Sequence, residues 1–263
     1  MNTLQWNNQK ISIISSDKDI ASVLIANELE TLSLPVFHLQ DKHHLYVTDK
    51  DLPEADCFIF LSRHSSAAGE PAFTVHSLGN FSPEEPKLGG LPSQLSKTNT
   101  DIQTYLLYSI KQNLTPEFSS FDVIAEATHH GPNLSKPALY IEMGSTSEVW
   151  SSQKAANLLA KSIQYFFHSF KIPDQPPIGA IGFGGGHYPR KIAEKMLNLE
   201  FSVGHLCPKY NLAYIDDDMV DQMIINSYCS TGIKIALFDK KGMNRKKEIR
   251  DLVTSKGLEV LQI

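Results

Sequence analysis

Apolar residues recur along this chain in two alternating periods, one of about two residues and one of about three and a half. The run at 11–14 is short and β-rich. Ser16 and Asp17 follow as helix-capping residues, and Ile20, Val23, Leu24 and Leu32 then recur at helical spacing. Residues 36–39 and 45–47 read as short strands, and the continuous apolar run 57–61 reads as a strand buried on both faces. A helix is predicted over 101–113, with Ile102, Tyr105, Leu106 and Ile110 on one side. Strands follow at 121–127 and 138–143. The longest helix spans 151–170, where Ala155, Leu159, Ile163, Phe166 and Phe170 form an apolar stripe. Pro173, Pro176 and Pro177 end it.

Beyond that loop the alternation resumes. A strand at 178–183 runs into Gly184-Gly185-Gly186 and a helix from 189 to 197, then a strand at 201–206. Helix 216–227 opens on three Asp residues, where the helix dipole favours them, and Gly232 follows as a stop. Strand 233–238, helix 244–255 and strand 258–263 complete the chain. Strands alternating with helices define an α/β layered fold, expected as a single domain over 1–263 with a mixed, mostly parallel sheet. The stretch 77–99 is rich in Pro, Gly, Ser and Lys and reads as one long functional loop.

Composition narrows the options. The 263 residues are 41% hydrophobic and 20% charged, ordinary for a globular protein. No apolar run reaches the length of a membrane span, and the first ten residues lack the basic and apolar regions of a secretion signal. A cytoplasmic protein without a membrane partner is expected. Cys57, Cys207 and Cys229 are too few and too widely spaced for a disulfide framework or an all-cysteine zinc knuckle. The net charge of −5 argues against a general nucleic-acid binder. Bases are concentrated late, however, in Lys240, Lys241, Arg245, Lys246, Lys247 and Arg250. That cluster is either a solvated helix face or a set of phosphate contacts. No exposed apolar helix stripe asks for a partner, so a monomer is expected.

Six of the ten histidines lie near strand ends or loops: His64, His76, His129, His130, His187 and His205. Catalytic groups of open α/β sheets gather at such ends. Glu142 sits inside an apolar run, where a carboxylate must be paired, ligating or capping. Imidazoles with a carboxylate are the ligand set of catalytic zinc sites, although no tight HExxH spacing is present. His64, His76, His129, His130, Glu142 and His187 are the candidate metal ligands. Alternation along a strand would aim His129 and His130 apart unless the chain turns at Gly131-Pro132. The segment Gly182 to Arg190, between a strand and a helix, offers backbone amides and a positive dipole end to an oxyanion or phosphate. In it His187 could ligate or move a proton, and Arg190 could grip a phosphate in bidentate fashion. The plainer reading is a glycine turn needed for tight packing.

Four blocks stand in order: Ser62-Arg63-His64, Ala127-Thr128-His129-His130-Gly131-Pro132, Glu142-Met143-Gly144-Ser145-Thr146 and Gly184-Gly185-Gly186-His187-Tyr188-Pro189-Arg190. Together they resemble the archaeal-type D-aminoacyl-tRNA deacylases, a type that plants share, over about residues 10–263. Family members commonly read Gly-Gly-Gly-His-Tyr-Ala-Pro-Arg, so this chain is one residue shorter there. The resemblance implies a phosphorylase/peptidyl-tRNA hydrolase-like α/β domain, zinc dependence with one or two ions, and D-aminoacyl-tRNA as substrate. On that view His187, His129, His130, Glu142, Gly185 and Gly186 serve catalysis. Arg190, Lys191, Arg245, Lys246, Lys247 and Arg250 then meet tRNA. Three rivals stay open: a small-molecule ester or amide hydrolase on the same scaffold, a non-catalytic RNA-binding protein, and a nucleoside-processing enzyme. Rejecting the L-ester requires a pocket that cannot accept it, and no residues of that pocket are legible.

Overall fold

The structure, a computed structural model, describes residues 3–240 and 243–263. Lys241 of the basic cluster lies outside the described residues. Strand β1 (Leu4–Trp6) turns through Asn7 and Asn8 into β2 (Gln9–Ser16). Both asparagines take positive φ, 46° and 63°, as a two-residue hairpin turn of matching twist requires.

Helix α1 (Ile20–Thr31) is capped by Asp19, whose Oδ1 accepts the Ser22 amide at 3.0 Å. The expected caps are engaged elsewhere: Ser16 still belongs to β2, and the Asp17 carboxylate accepts the Asp41 amide. Strands β3 (Phe37–Leu39) and β1 share the outer edge of β2. Residues 45–47 are not a strand. His44–Tyr46 instead form one turn of 3-10 helix whose first free amide, that of Leu45, bonds His43 Nδ1 at 3.3 Å.

Next come β4 (Cys57–Ser65) and β5 (Ala72–Ser77). The stretch 77–99 folds back on itself rather than forming a plain loop. In it β6 (Gly79–Asn80) pairs with β7 (Gln94–Leu95), and β8 (Thr98–Asn99) pairs with a later segment, β13 (Ser227–Tyr228). Helix α2 (Thr100–Asn113), β9 (Asp122–Ala125), β10 (Ala138–Ser145), the single turn α3 (Ser147–Trp150) and α4 (Gln153–His168) follow. The second part holds β11 (Ile178–Phe183), α5 (Arg190–Leu197), β12 (Phe201–Cys207), α6 (Asp217–Ile225), β14 (Ile233–Phe238), α7 (Lys246–Ser255) and β15 (Glu259–Gln262).

Two sheets result. The first runs β1-β2-β4-β10-β5-β9 with β3 on β2, and is mixed because β5 is antiparallel to β10. The second, β12-β11-β14-β15, is wholly parallel. One apolar core joins them. Ile59, Leu61, Val75 and Ile141 of the first sheet and Ala180, Val203 and Leu237 of the second belong to it, with Ile102 and Leu106 of α2 between. Helices α6 and α7 cover the far face of the second sheet through Met219, Met223, Ile249 and Val253. The far face of the first sheet is covered by loops rather than helices, with Leu39, Val47, Leu78 and Leu134 packed on Phe58, Phe60 and Tyr140. Among the described residues no helix is long and apolar enough to cross a membrane.

Candidate active site

The loop-covered face of the first sheet carries the chemistry. Side chains two apart on a strand share a face, and so do partners in register. In β4 Ser62 and His64 therefore point the same way; Glu142 of β10 lies beside Ser62, and Tyr140 lies beside His76 of β5. Three adjacent strands thus bring His64, Glu142 and His76 together. A carbonyl contact fixes the end of β4, since Trp150 Nε1 of α3 donates to His64 O at 2.6 Å.

A second carboxylate completes the group. Strand β9 stops at Ala125, so Glu126 begins the following loop, where it is fully buried. His187, on the glycine loop of the second sheet, is held there by the Ala127 N–His187 O bond of 2.9 Å. Its Nε2 lies 2.7 Å from Glu126 Oε2. His64 Nδ1 lies 3.1 Å from Glu126 Oε1 and 3.5 Å from Glu142 Oε2, and its Nε2 lies 2.6 Å from the Tyr188 hydroxyl. Burial works against a charge on His64, yet Glu126 and Glu142 outweigh it and hold that ring's pKa up to about 11. Burial likewise opposes ionisation of the two carboxylates, but neighbouring imidazoles keep both below the usual range: His187 and His64 for Glu126, His64 and His76 for Glu142. The centre is an ionised network in which each buried charge has a partner.

Beside it three imidazoles converge. His76 Nδ1 bonds the Ser77 carbonyl at 3.1 Å, His129 Nδ1 the Ala127 carbonyl at 2.8 Å, and His130 Nδ1 the Gly131 carbonyl at 2.7 Å. A carbonyl only accepts, so each Nδ1 carries a proton, and in the neutral ring Nε2 keeps its lone pair. Ligand atoms of the three rings lie within 4.8 Å of one another. His76 Nε2 is buried without a hydrogen bond, its nearest carboxylate oxygen being 3.7 Å away on Glu142. Burial holds His129 well below the usual imidazole range and His130 down to about 4. His76 is raised, because Glu142 overcomes the effect of burial. Backbone-fixed Nδ1 protons, three rings with nitrogens within reach of one another and an orphaned Nε2 on His76 fit a divalent cation such as zinc.

The turn that makes this possible is at His130, whose φ of 41° is left-handed. It brings the His129 and His130 rings to 4.4 Å rather than to opposite sides. Gly131 is required next to it. A Cβ there would meet the Gly90 amide at 2.2 Å, since the loop through 88–90 packs directly on this turn.

The remaining residues singled out by sequence fare unevenly. Gly184 and Gly185 take positive φ, and the Gly184 amide bonds Cys207 O, which removes it as an oxyanion donor. Gly186 faces open space. Both terminal nitrogens of Arg190 are taken by Asp122, at 2.9 and 2.6 Å. Lys191 bonds the Ile263 carbonyl and approaches Asp239. Arg245 is a local clasp on Glu248 and the Leu212 and Ala213 carbonyls, and its left-handed backbone delays the helix predicted from 244 until Lys246. Lys246 bonds Gln262, Lys247 is exposed and Arg250 is half-buried.

Glu126, Tyr188, Asp19, His43 and His44 went unassigned in the sequence. Asp19, His43 and His44 gather in the wall of the same cleft. Glu126 had a readable signal, an acid directly after an apolar strand and just before two histidines.

His205 stands apart, fully buried, with Nδ1 3.3 Å from Thr128 Oγ1. Burial pushes it down to about 3. It is neutral when folded, while the unfolded chain takes up a proton below about pH 6.5. Its share of stability is therefore complete above that pH and is lost progressively as pH falls toward about 3, at up to about 1.4 kcal/mol per pH unit. Urea midpoints between about pH 4 and pH 7 should fall less steeply for His205→Gln than for the unchanged protein. Equal slopes would dismiss His205 as an acid-sensitive point.

Fold and site together define a layered α/β protein whose reactive groups are clustered imidazoles and buried carboxylates at strand ends. The chain belongs to the D-aminoacyl-tRNA deacylase family, which it matches over residues 52–261. The D-aminoacyl-tRNA deacylase of Methanocaldococcus jannaschii is 34% identical over 95% of this chain and 98% of its own length. That of Ignicoccus hospitalis is 35% identical over 79% of this chain and 81% of its own. The crystal structure of a conserved protein of unknown function, AF0625, superimposes with a TM-score of 0.85 at 26% identity, covering 96% of this chain and 94% of that one.

Proposed function

We propose that this protein hydrolyses the ester of D-aminoacyl-tRNA, releasing the free D-amino acid and tRNA. Family membership supports the substrate, and one observation carries the chemistry. Buried Glu126 holds His187 at 2.7 Å beside three imidazoles with ring nitrogens within 4.8 Å of one another.

Glu126 accepts the Nε2 proton of His187, which leaves Nδ1 as the basic nitrogen on the open side, 3.3 Å from the Tyr210 hydroxyl. Nδ1 takes a proton from water as the water attacks the ester carbonyl. It then returns that proton to the departing ribose oxygen. The Glu126 carboxylate stabilises the imidazolium formed in between, as a buried acid does in a triad. His64 in turn balances Glu126 and Glu142.

In this reading zinc is held by Nε2 of His76, His129 and His130. When bound, it supplies Lewis acidity toward the ester carbonyl. His64 has both ring nitrogens engaged and His187 is tied to Glu126, so neither is assigned as a ligand of that ion. In this reading the Gly185 and Gly186 amides are the oxyanion donors, and Lys191, Lys247 and Arg250 are the basic groups that meet the tRNA backbone.

The mixed sheet with helices on one face supports a phosphorylase/peptidyl-tRNA hydrolase-like scaffold, and the shared core supports one domain. We read the protein as a monomer working in the cytoplasm, where aminoacyl-tRNA is made and used.

The test is release of labelled D-tyrosine from D-tyrosyl-tRNA, beside L-tyrosyl-tRNA. Release of the D-form alone is expected. No release of either form by folded, zinc-loaded protein would sink the assignment and favour a small-molecule ester or amide.

A further inference from the structure

We infer that a second cleft beside the imidazole site seats the nucleobase of the terminal adenosine, and that Tyr210 is its stacking surface. This rests on the deacylase reading above. The imidazole site opens into a cleft of about 280 Å³ that reaches Asp19, His43 and Arg63. A separate cleft of about 260 Å³ adjoins it, and His129 stands in the wall of both. Each alone falls below the roughly 300–1,000 Å³ usual for small-molecule sites. An aminoacyl nucleoside has two bulky ends and a short ester between them. It fits two chambers with the reactive groups at their junction. That junction is where His129 lies and where His187 meets Tyr210.

The wall of the second chamber selects which end enters it. Tyr210 leaves 55% of its surface in water although it is a large aromatic, and its ring offers a face on which a base stacks. Asn80 spends its Nδ2 on the Gly89 and Leu91 carbonyls, at 3.1 and 3.3 Å. What it can offer a ligand is therefore Oδ1, an acceptor suited to an exocyclic amine such as adenine N6. Asn211 adds a second side-chain amide. Glu84 and Glu85 outnumber Lys87 on the same wall, so its net charge disfavours phosphate and the chamber suits an uncharged base rather than the phosphodiester chain. The first cleft, with Asp19 and Arg63 in its wall, is left for the amino-acid end.

Calorimetric titration with free adenosine, inosine and uridine tests the assignment without turnover. Inosine lacks the exocyclic amine but keeps the ring system. Adenosine should bind about tenfold or more tightly than inosine or uridine, as loss of a good amine contact implies. Tyr210→Ala should weaken adenosine by about tenfold or more, while Tyr210→Phe, which keeps the ring, stays within about threefold. In hydrolysis of D-tyrosyl-tRNA, Tyr210→Ala should raise KM and Tyr210→Phe should restore KM, while kcat in both reflects loss of the hydroxyl beside His187 Nδ1. Equal binding of the three nucleosides, no adenosine binding by folded protein, or unchanged binding by Tyr210→Ala would each overturn the proposal. If adenosine binds selectively but neither aminoacyl-tRNA is cleaved, the cleft stands and the deacylase reading falls.

Discussion

Replacing Glu126 with glutamine should lower kcat on D-aminoacyl-tRNA by about 10²–10⁴-fold, the usual weight of an oriented general base, while KM changes little. Glutamine keeps the volume and an acceptor oxygen but loses the charge. The imidazolium that forms on His187 is then no longer stabilised, and His64 loses one of its two counter-charges. Removing one member of a buried ion network is also destabilising, by about 3–5 kcal/mol. Urea denaturation of the variant must therefore accompany its kinetics. Should the glutamine variant not fold, Glu126→Asp keeps the charge but withdraws it from His187, and a drop in kcat of at least about tenfold is still expected. A folded variant that retains full kcat would remove the Glu126–His187 pair from the mechanism.

The second large effect concerns zinc. His76→Ala removes one of the three clustered imidazoles and should weaken zinc binding by more than about 100-fold, beyond the 10–100-fold typical of losing only an outer partner. Zinc content by elemental mass spectrometry reads this directly, apart from activity. His64→Gln is the control. It should keep zinc, because His64 faces Glu126, Glu142 and Tyr188 instead, yet lose activity. Equal zinc loss in the two variants would overturn the ligand assignment. Chelation should abolish hydrolysis, and zinc should restore it. Hydrolysis surviving complete chelation would keep the enzyme and discard the metal.

Much of the scaffold was legible because burial writes a period into a strand or helix. Strands β11 and β14 fall where the apolar runs put them, and helix α4 differs from its stripe only at the ends. Strand β5 was not legible, since Ala72–Ser77 carries only three apolar residues and a buried His76. Its antiparallel pairing, which sets His76 beside Tyr140, is a tertiary fact. The histidine blocks were readable as chemistry, but not the division of labour among them. That depends on which ring nitrogen meets a carbonyl and which meets Glu126. Lysine and arginine roles were the least legible. A basic residue in sequence shows nothing of the acid that occupies it in space, as Asp122 does Arg190 and Glu248 does Arg245.

The Pro-rich loop before β11 has a consequence for how activity is acquired. Everything the first sheet contributes, Glu126 and the three converging imidazoles included, precedes that loop, and His187 follows it. A chain cut there would carry the two halves of one proton-transfer pair on separate pieces. Neither piece holds a working site, and only docking of the second sheet onto α2 assembles one. A growing polypeptide is therefore chemically silent toward aminoacyl esters until its last third has folded. Ester cleavage then becomes a report on assembly of the two sheets, which a complementation assay with the two fragments could follow in real time.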